Sequence, residues 1–480
     1  MSGLIKRANL KKEKFKKFLN KVDQTNDTDS DGDVSEEDIT TIEEEIIGSI
    51  IGKNYLVAKY IGKGTFSKVW ILYNLNTKEF VAGKIYPKKH YDEYTNELII
   101  LRQYTSFDSD SIHNINLITN FTDTFNDEEI SVLVIPLYGK SVFNLVDNCR
   151  QNSNNISLSC CTDIIKSLCK SLVKLHDLNV LHMDIKLDNI LTKGSSIDEN
   201  NNNIEELKKL ISDNNYDNFI ENKTLKELNK LNLNDMKKNQ KKKYKKNIKT
   251  KVHKSLKNDY LEKYGVVFNN NDNNNNDNNK EENEESIETK QNVVNFHELS
   301  YVLSDYSNST LEKEVKSDRF YQIRPNRPPE NILSITYTKR SDSWAIGTIL
   351  WELLTGTEIF EPDLNKYKIK VERDRKQLSL IEKYLGKIPQ NIIMDCPRSF
   401  ELYDDKGELI NIKKNERKDL REKLKKYRPD LSDVEIYNTC VFLIECWKYD
   451  YLKRLSPEEL LQHSYLNPVN EDNIPELIEK

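Results

Sequence analysis

Between roughly Ser195 and Asn292 the sequence runs through KKNQKKKYKKNIKTK and FNNNDNNNNDNNKEENEE, a lysine- and asparagine-rich tract. Such a tract is too polar to repay the entropy of ordering it, so disorder is expected there. Any core the chain builds must be assembled from the segments on either side. The composition agrees: 37% of the 480 residues are apolar and 31% charged, as when long solvated segments dilute a normal core.

The flanks differ in periodicity. From Asn54 to Tyr138 the strand patterns YLVAKYIG, KVWILYN and FVAGKIY alternate with turn residues, and one charged segment, YDEYTNELIILRQY, reads as a helix. After Gly139 apolar residues recur three and four apart, through SCCTDIIKSLCKSLVKLHDL and later SDSWAIGTILWELLTG. A mostly β unit over 54–138 is therefore followed by a helical unit made of 139–194 and 293–470, split in sequence by the tract but not in space. Residues 1–50 form an arm expected to be disordered. Its first part is basic, with apolar Leu4, Ala8, Phe15, Leu19 and Val22, and it then turns acidic.

Several function classes recede at this point. A net charge of −5, from 73 basic and 78 acidic residues, favours no polyanionic partner. Seven cysteines form no CxxC pair, and buried thiols in a reducing compartment fit them better than disulfides or zinc. No signal peptide or membrane-spanning window is legible. The expectation is an intracellular soluble protein, in cytoplasm and nucleus.

The polar landmarks carry chemistry through their order. IGKGTFSKVW sets Gly62 and Gly64 in a turn between two strands, where backbone N–H groups can approach phosphate oxygens without a Cβ in the way. Two glycines in a turn are common in many folds and mean little alone. Lys84 follows on the next strand, and Glu97 on the helical segment could partner it if the lysine is buried. In HMDIKLDNIL, Asp184 can accept the proton of an attacking hydroxyl, Lys186 can neutralise a transferring phosphoryl group, and Asn189 can hold a divalent cation. Asp305 in YVLSDYSNS offers a second metal ligand. A lone Asp after a strand is more often a turn or cap, but five partners in order reverse that preference.

With these residues in sequence, the chain resembles a eukaryotic protein kinase, and within that superfamily the SR-protein kinase family. The likeness runs over 54–193 and 293–467 and includes the GxGxFSxVW loop, RPPENIL, SDSWAIG, TGTEIFEPD, YLGKIP and LKRLSPEELLQHSYL. It implies an α+β bilobal fold with a β-rich N-lobe and a helical C-lobe, using ATP and Mg²⁺. Gly62, Gly64 and Ser67 would cover the phosphates, and Ile61, Val69 and Ala82 would line the nucleotide site. Lys84, paired with Glu97, would contact the α and β phosphates. Ile135 would form the inner wall of the hinge, with backbone groups of Pro136, Leu137 and Tyr138 near adenine. Asp184 would be the base, assisted by Lys186, and Asn189 and Asp305 would bind Mg²⁺. Glu330 and Arg454 would form a buried ion pair, while Asp342 anchors the catalytic loop through backbone N–H groups. The implied partners are protein substrates, Arg/Ser-rich ones such as splicing factors ahead of a broader serine/threonine range; a monomer without direct nucleic-acid binding is expected. The rival is a pseudokinase scaffold, which usually lacks Lys84, Asp184 or Asp305; this chain keeps all three.

Departures from the family pattern sharpen the reading. Met183 stands where many kinases carry an arginine that pairs with an activation-loop phosphate, which predicts activity without that phosphate. Ser307 replaces a glycine after the metal-binding Asp and is expected to restrict that segment. Ile323 removes a threonine that would bond the catalytic Asp and Lys, although Arg324 and Arg327 fit the wider group. The stretch KYKIKVERDRKQLSLIEKYLGK is net basic, so an acidic docking groove is not evident. His182 is expected to be structural. Two side features have bland readings beside sharper ones: DTDSDGDVSEED, starting at Asp27, has EF-hand ligand spacing but reads better as an acidic arm. The run Lys237–Lys251 is a nuclear import signal or simply a solvated insert.

Overall fold

The computed structural model describes residues 46, 49–107, 114–125, 127–151, 154–193, 293–294, 299–413 and 416–467. The basic arm, the acidic loop from Asp27, the lysine run and most of the tract lie outside the described residues.

The β-rich N-lobe is one antiparallel sheet in the order β1-β2-β3-β4-β6-β5. Its strands are β1 (Ile50–Ile51), β2 (Tyr55–Lys63), β3 (Lys68–Asn74), β4 (Glu79–Pro87), β5 (Thr119–Phe125) and β6 (Glu128–Pro136). Alternation sorts β4 into two faces. Val81 and Ile85 join Val57, Trp70, Leu72, Val132 and Val134 in one apolar layer. Ala82, Lys84 and Tyr86 point to the opposite face, where Tyr86 meets Tyr94, Leu98 and Leu101 of α1 (Tyr91–Phe107) in the main core. A helix covers that second face, so β4 reads as a nearly continuous buried run.

The helical C-lobe surrounds α5 (Lys339–Thr355), in which every residue from Ser341 to Trp351 is buried, as is normal for the hub of a bundle. Against it pack α3 (Leu158–Asp177), α10 (Asp433–Cys446) and α11 (Pro457–Leu461), preceded in sequence order by α2 (Val142–Gln151), α4 (Pro329–Ile332), α6 (Lys370–Leu385), α7 (Gln390–Asp395), α8 (Ser399–Leu402) and α9 (Leu420–Tyr427). Caps fix the starts: Ser157 accepts from the Cys160 N–H, Ser341 Oγ accepts the Thr338 N–H at 3.0 Å, and Ser432 with Glu435 and Ser456 with Glu459 form reciprocal capping boxes. All seven cysteines are free and buried. Among the described residues no helix is long and apolar enough to cross a membrane.

Short strands pair the flanks of the tract directly. Here β9 (Ile190–Lys193) runs antiparallel to β11 (Ser300–Leu303), with Ile190 opposite Leu303 and Lys193 opposite Ser300. Two more pairs, β7 (Asn155–Ile156) with β10 (Val293–Val294) and β8 (Val180–Leu181) with β12 (Thr310–Leu311), tie the later segment to the earlier one. The chain leaving β6 bonds to the same region, since the Gly139 N–H donates to the Thr192 carbonyl at 2.8 Å and the Thr192 N–H to that of Lys140 at 3.0 Å.

Candidate active site

The sheet supplies one wall. Antiparallel register puts Lys84 beside Val69 on β3 and Leu133 on β6, and Ala82 beside Ile135. Ala82 is buried, Ile135 and Val69 are half-buried, and Ile61 is exposed at the edge of β2. The glycine turn closes through the Gly64 N–H, which donates to the Ser67 carbonyl at 2.8 Å. A Cβ on Gly64 would lie 3.4 Å from Ser67 Oγ and 4.0 Å from Asp305 Oδ2, so the turn stands directly over the Asp305 carboxylate. Leu137 and Tyr138 are half-buried in the connection to the helical lobe.

Lys84, which is 6% exposed, joins both lobes. Its ammonium donates to Glu97 Oε2 at 2.7 Å and to Asp305 Oδ1 at 2.6 Å. Burial disfavours its charge, but the carboxylates of Asp305 and Glu97 outweigh that and hold its pKa well above the ordinary lysine value. For Asp305 burial also opposes ionisation, yet the Lys84 charge and the bonds from Lys84 and Ser307 carry its pKa well below the usual range. Ser307 Oγ donates to Asp305 Oδ1 at 2.7 Å, so the residue that replaces a glycine gives the neighbouring carboxylate a hydrogen bond. Asn96 on α1 reaches across to the carbonyls of Ser307 (3.2 Å) and Ser309 (2.7 Å).

The catalytic-loop residues follow β8. The Asp184 carboxylate, 5% exposed as a residue, has Lys186 Nζ at 3.2 Å, Asn189 Nδ2 at 3.3 Å and Asn308 Nδ2 at 3.4 Å from the same oxygen. Asn189 also donates to the Asp184 carbonyl at 2.8 Å, and its own carbonyl accepts the Ser304 N–H at 2.8 Å, which brings the loop beside Asp305. His182 is fully buried and structural in contact: its Nε2 meets the Ser304 carbonyl at 3.1 Å and its Nδ1 accepts the Asp184 N–H at 3.3 Å. Burial lowers its pKa against the pull of Asp342 and Asp184, which suits a neutral ring with one donor and one acceptor.

Support lies below. Asp342 accepts the His182 N–H at 3.3 Å, the Tyr337 hydroxyl at 2.7 Å and His176 Nε2 at 2.9 Å. The His182 N–H is the catalytic-loop backbone donor, and the Tyr337 and His176 side chains hold the carboxylate beside it. Arg454 and Glu330 form a bidentate pair at 2.6 and 2.8 Å, 0% and 1% exposed.

Left-handed backbone at non-glycine residues clusters here: Met183 (φ 64°), Asp305 (φ 63°) and Gln322 (φ 64°). Such conformations cost about 1–3 kcal/mol each and persist only where the surroundings impose them. Gln322 was not legible from sequence. It donates its N–H to the Met183 carbonyl at 2.9 Å, accepts the Ile185 N–H at 3.0 Å and gives its amide to Tyr337 at 3.1 Å. The missing threonine at Ile323 is therefore flanked by a residue that holds the loop from its other side.

The donor set suits a hard divalent cation with a polyphosphate. Asn189 spends its amide nitrogen on Asp184, which leaves a carbonyl oxygen, and Asp305 keeps Oδ2 facing the glycine turn. Mg²⁺ takes few protein ligands when phosphates complete its shell, so one carboxylate and one amide suffice. Among the described residues no three His, Cys, Asp or Glu side chains gather into a preformed metal cage.

A glycine turn set over a Lys–Asp–Asp–Asn constellation has the parts that phosphoryl transfer needs, and comparison with known proteins specifies the family. The protein kinase domain family matches residues 55–205 and 289–466. A protein of Acanthamoeba polyphaga mimivirus named as a serine/threonine-protein kinase is 26% identical over 94% of this chain and 95% of its own length. Arabidopsis thaliana serine/threonine-protein kinase AFC1 is 22% identical over 90% of this chain and 74% of its own. Human SRSF protein kinase 3 is 30% identical over 31% of this chain and 25% of its own. The chain belongs to the protein kinase family, on its serine/threonine side, and protein substrates follow from that membership.

Proposed function

We propose that the chain transfers the γ-phosphoryl group of ATP to serine in Arg/Ser-rich proteins and is active without phosphorylation of its own activation segment. The observation that carries catalysis is the single network in which Lys84 bonds both Glu97 and Asp305 while Asp184 sits with Lys186 and Asn189. Asp184 accepts the hydroxyl proton, and Lys186 offsets charge on the transferring group. Gly62, Gly64 and Ser67 cover the phosphates, and Ile61, Val69, Ala82, Ile135, Leu137 and Tyr138 surround the base. Asn189 and Asp305 hold Mg²⁺, which when bound neutralises the phosphate oxygens. Most of the rate comes from positioning.

Independence from phosphorylation is supported by how the segment after Asp305 is fastened. Met183 is 2% exposed and packs with Leu181, Tyr321, Tyr337 and Val315, so apolar burial fills the place of a charged latch. Hydrogen bonds add to it: the Glu312 N–H donates to the Asn179 carbonyl at 2.9 Å, and the Ser309 hydroxyl to the His182 carbonyl at 3.0 Å.

Substrate class rests on the resemblance. Asp374 of α6 is consumed by Arg324 (2.7 Å) and Arg398 (2.8 Å). The Phe320 ring then faces Arg327 and Arg398 at 5.1 Å each and Lys370 at 4.5 Å. Arg327 and Arg398 are buried, 5% and 4% exposed, and bonded within the protein, so this cluster braces the activation segment and the substrate class is carried by the resemblance. The test compares an Arg-Ser repeat peptide, a Ser-Pro peptide and an acidic casein-like peptide, using phosphatase-treated enzyme and Asp184→Asn as control. Labelling of the first by treated wild type, lost in the variant, is expected. Labelling confined to the other two overturns the substrate class; activity regained only after phosphorylation between Asp305 and Glu330 overturns the independence. Bound ATP without transfer to any peptide is the scaffold's signature.

A further inference from the structure

Tyr86 lies two residues after Lys84 on β4, and strand alternation turns both side chains to the α1 face. Its ring is fully buried and meets Tyr94 edge-on at 5.7 Å, one turn before Glu97 on α1. Its hydroxyl donates to Glu97 Oε2, the oxygen that also accepts Lys84. Glu97 Oε1 takes the Tyr306 N–H at 3.3 Å. The carboxylate, 3% exposed, thus has one charged donor and two neutral ones.

That division matters because Lys84 has a second task. An ammonium that turns toward phosphate gives up part of its hold on Glu97, and a buried carboxylate deprived of its cation is strongly destabilised. A hydroxyl that cannot leave meets this need. Burial and the adjacent Glu97 charge push the Tyr86 phenol pKa well up, so it remains a donor at every working pH. The remaining neutral donor, the Tyr306 N–H, comes from the segment that carries Asp305, so of the two neutral donors to Glu97 it is Tyr86 that belongs to the sheet.

We propose that Tyr86 is a positioning residue of the phosphotransfer site: its hydroxyl keeps Glu97, and with it α1, in place while Lys84 engages the nucleotide. The inference rests on the kinase reading and deepens it. It separates two jobs, with Lys84 aligning phosphates and Tyr86 retaining the helix.

Tyr86→Phe keeps the ring and its contact with Tyr94 while deleting the donor. Expected results are an approximately tenfold fall in kcat with little change in the KM for ATP, as for a lost bond to a charged group, and a thermal midpoint close to wild type. Amide exchange in α1 around residues 94–101 should quicken about tenfold in the nucleotide-bound protein. The same substitution in a Glu97→Gln background should add little to α1 exchange, because the charge it serves is gone. Wild-type exchange and kcat in Tyr86→Phe overturn the proposal. So does an undiminished effect in the Glu97→Gln background, or a loss of global stability with no change specific to α1. Exchange is measured without phosphoryl transfer, so an enzyme inactive toward every peptide would sink the kinase reading while the role of Tyr86 was still decided.

Discussion

At the scale of single residues, the positions that depart from the family pattern are each answered by a neighbour. Ser307, where a glycine was expected, donates to the carboxylate of Asp305 two residues back. Its hydroxyl and the Lys84 ammonium share one carboxylate oxygen, which leaves the other toward the glycine turn. Ser307→Gly removes that donor and loosens the backbone, so we expect a folded enzyme whose kcat/KM for ATP falls by ~3–10-fold, read by steady-state kinetics. An unchanged value would mean that Lys84 alone orients Asp305. Sequence alone identified Lys84, Glu97, Asp184, Asn189 and Asp305 because their types and order are distinctive. Tyr86, Gln322 and Asn308 were not legible, since a tyrosine in a strand or an amide in a loop has many ordinary uses, and only its neighbours reveal which applies.

Among the elements, helix and strand patterns were readable wherever one face is buried and the other wet. α3 is such a case, read from the three-four periodicity of SCCTDIIKSLCKSLVKLHDL, with the Ser157 cap added by the structure. α5 is different: it is buried almost all round, and its position as the hub follows from packing. Gly347 exposes the tolerance there, because a Cβ would meet Trp447 Nε1 at 2.5 Å and Cys446 Cβ at 2.8 Å. Gly347→Ala should therefore drive α10 away from α5 and cost about 1–3 kcal/mol, measured by urea unfolding. A variant as stable as wild type would show that the indole moves freely. The net-basic stretch that became α6 argues similarly. Its one fully buried acid, Asp374, pairs with Arg324 and Arg398, and burial opposes its ionisation less than those two guanidinium groups favour it, so its pKa is lowered.

For the whole molecule, the decisive contacts bridge the long tract. Lys193 and Ser300 are strand partners, and Val293 pairs with Asn155, so the segments flanking the tract are held by the folded body itself. Loop-closure cost grows only slowly with length, by about 0.6 kcal/mol per doubling, so a short linker should serve as well as a long one. Replacing residues 195–290 with a brief glycine-serine linker is expected to preserve the melting temperature and phosphotransfer to peptides. A collapse of folding would mean that the tract contributes to the core. Glu330 and Arg454 make the same point, since they are far apart in sequence yet bidentate and fully buried.

The sequence by itself determined the residue set: a glycine turn between strands, a lysine with a carboxylate to match, and a loop whose carboxylate, ammonium and amide stand at fixed short spacings. These depend on residue type and local order, which a linear chain carries. Only the tertiary structure decided which oxygen each donor takes, that Met183 closes an apolar latch, and that Tyr86 belongs to the site. Those outcomes depend on long-range packing and register, because a hydrogen bond needs two groups within about 3 Å and nothing in a linear order sets that distance.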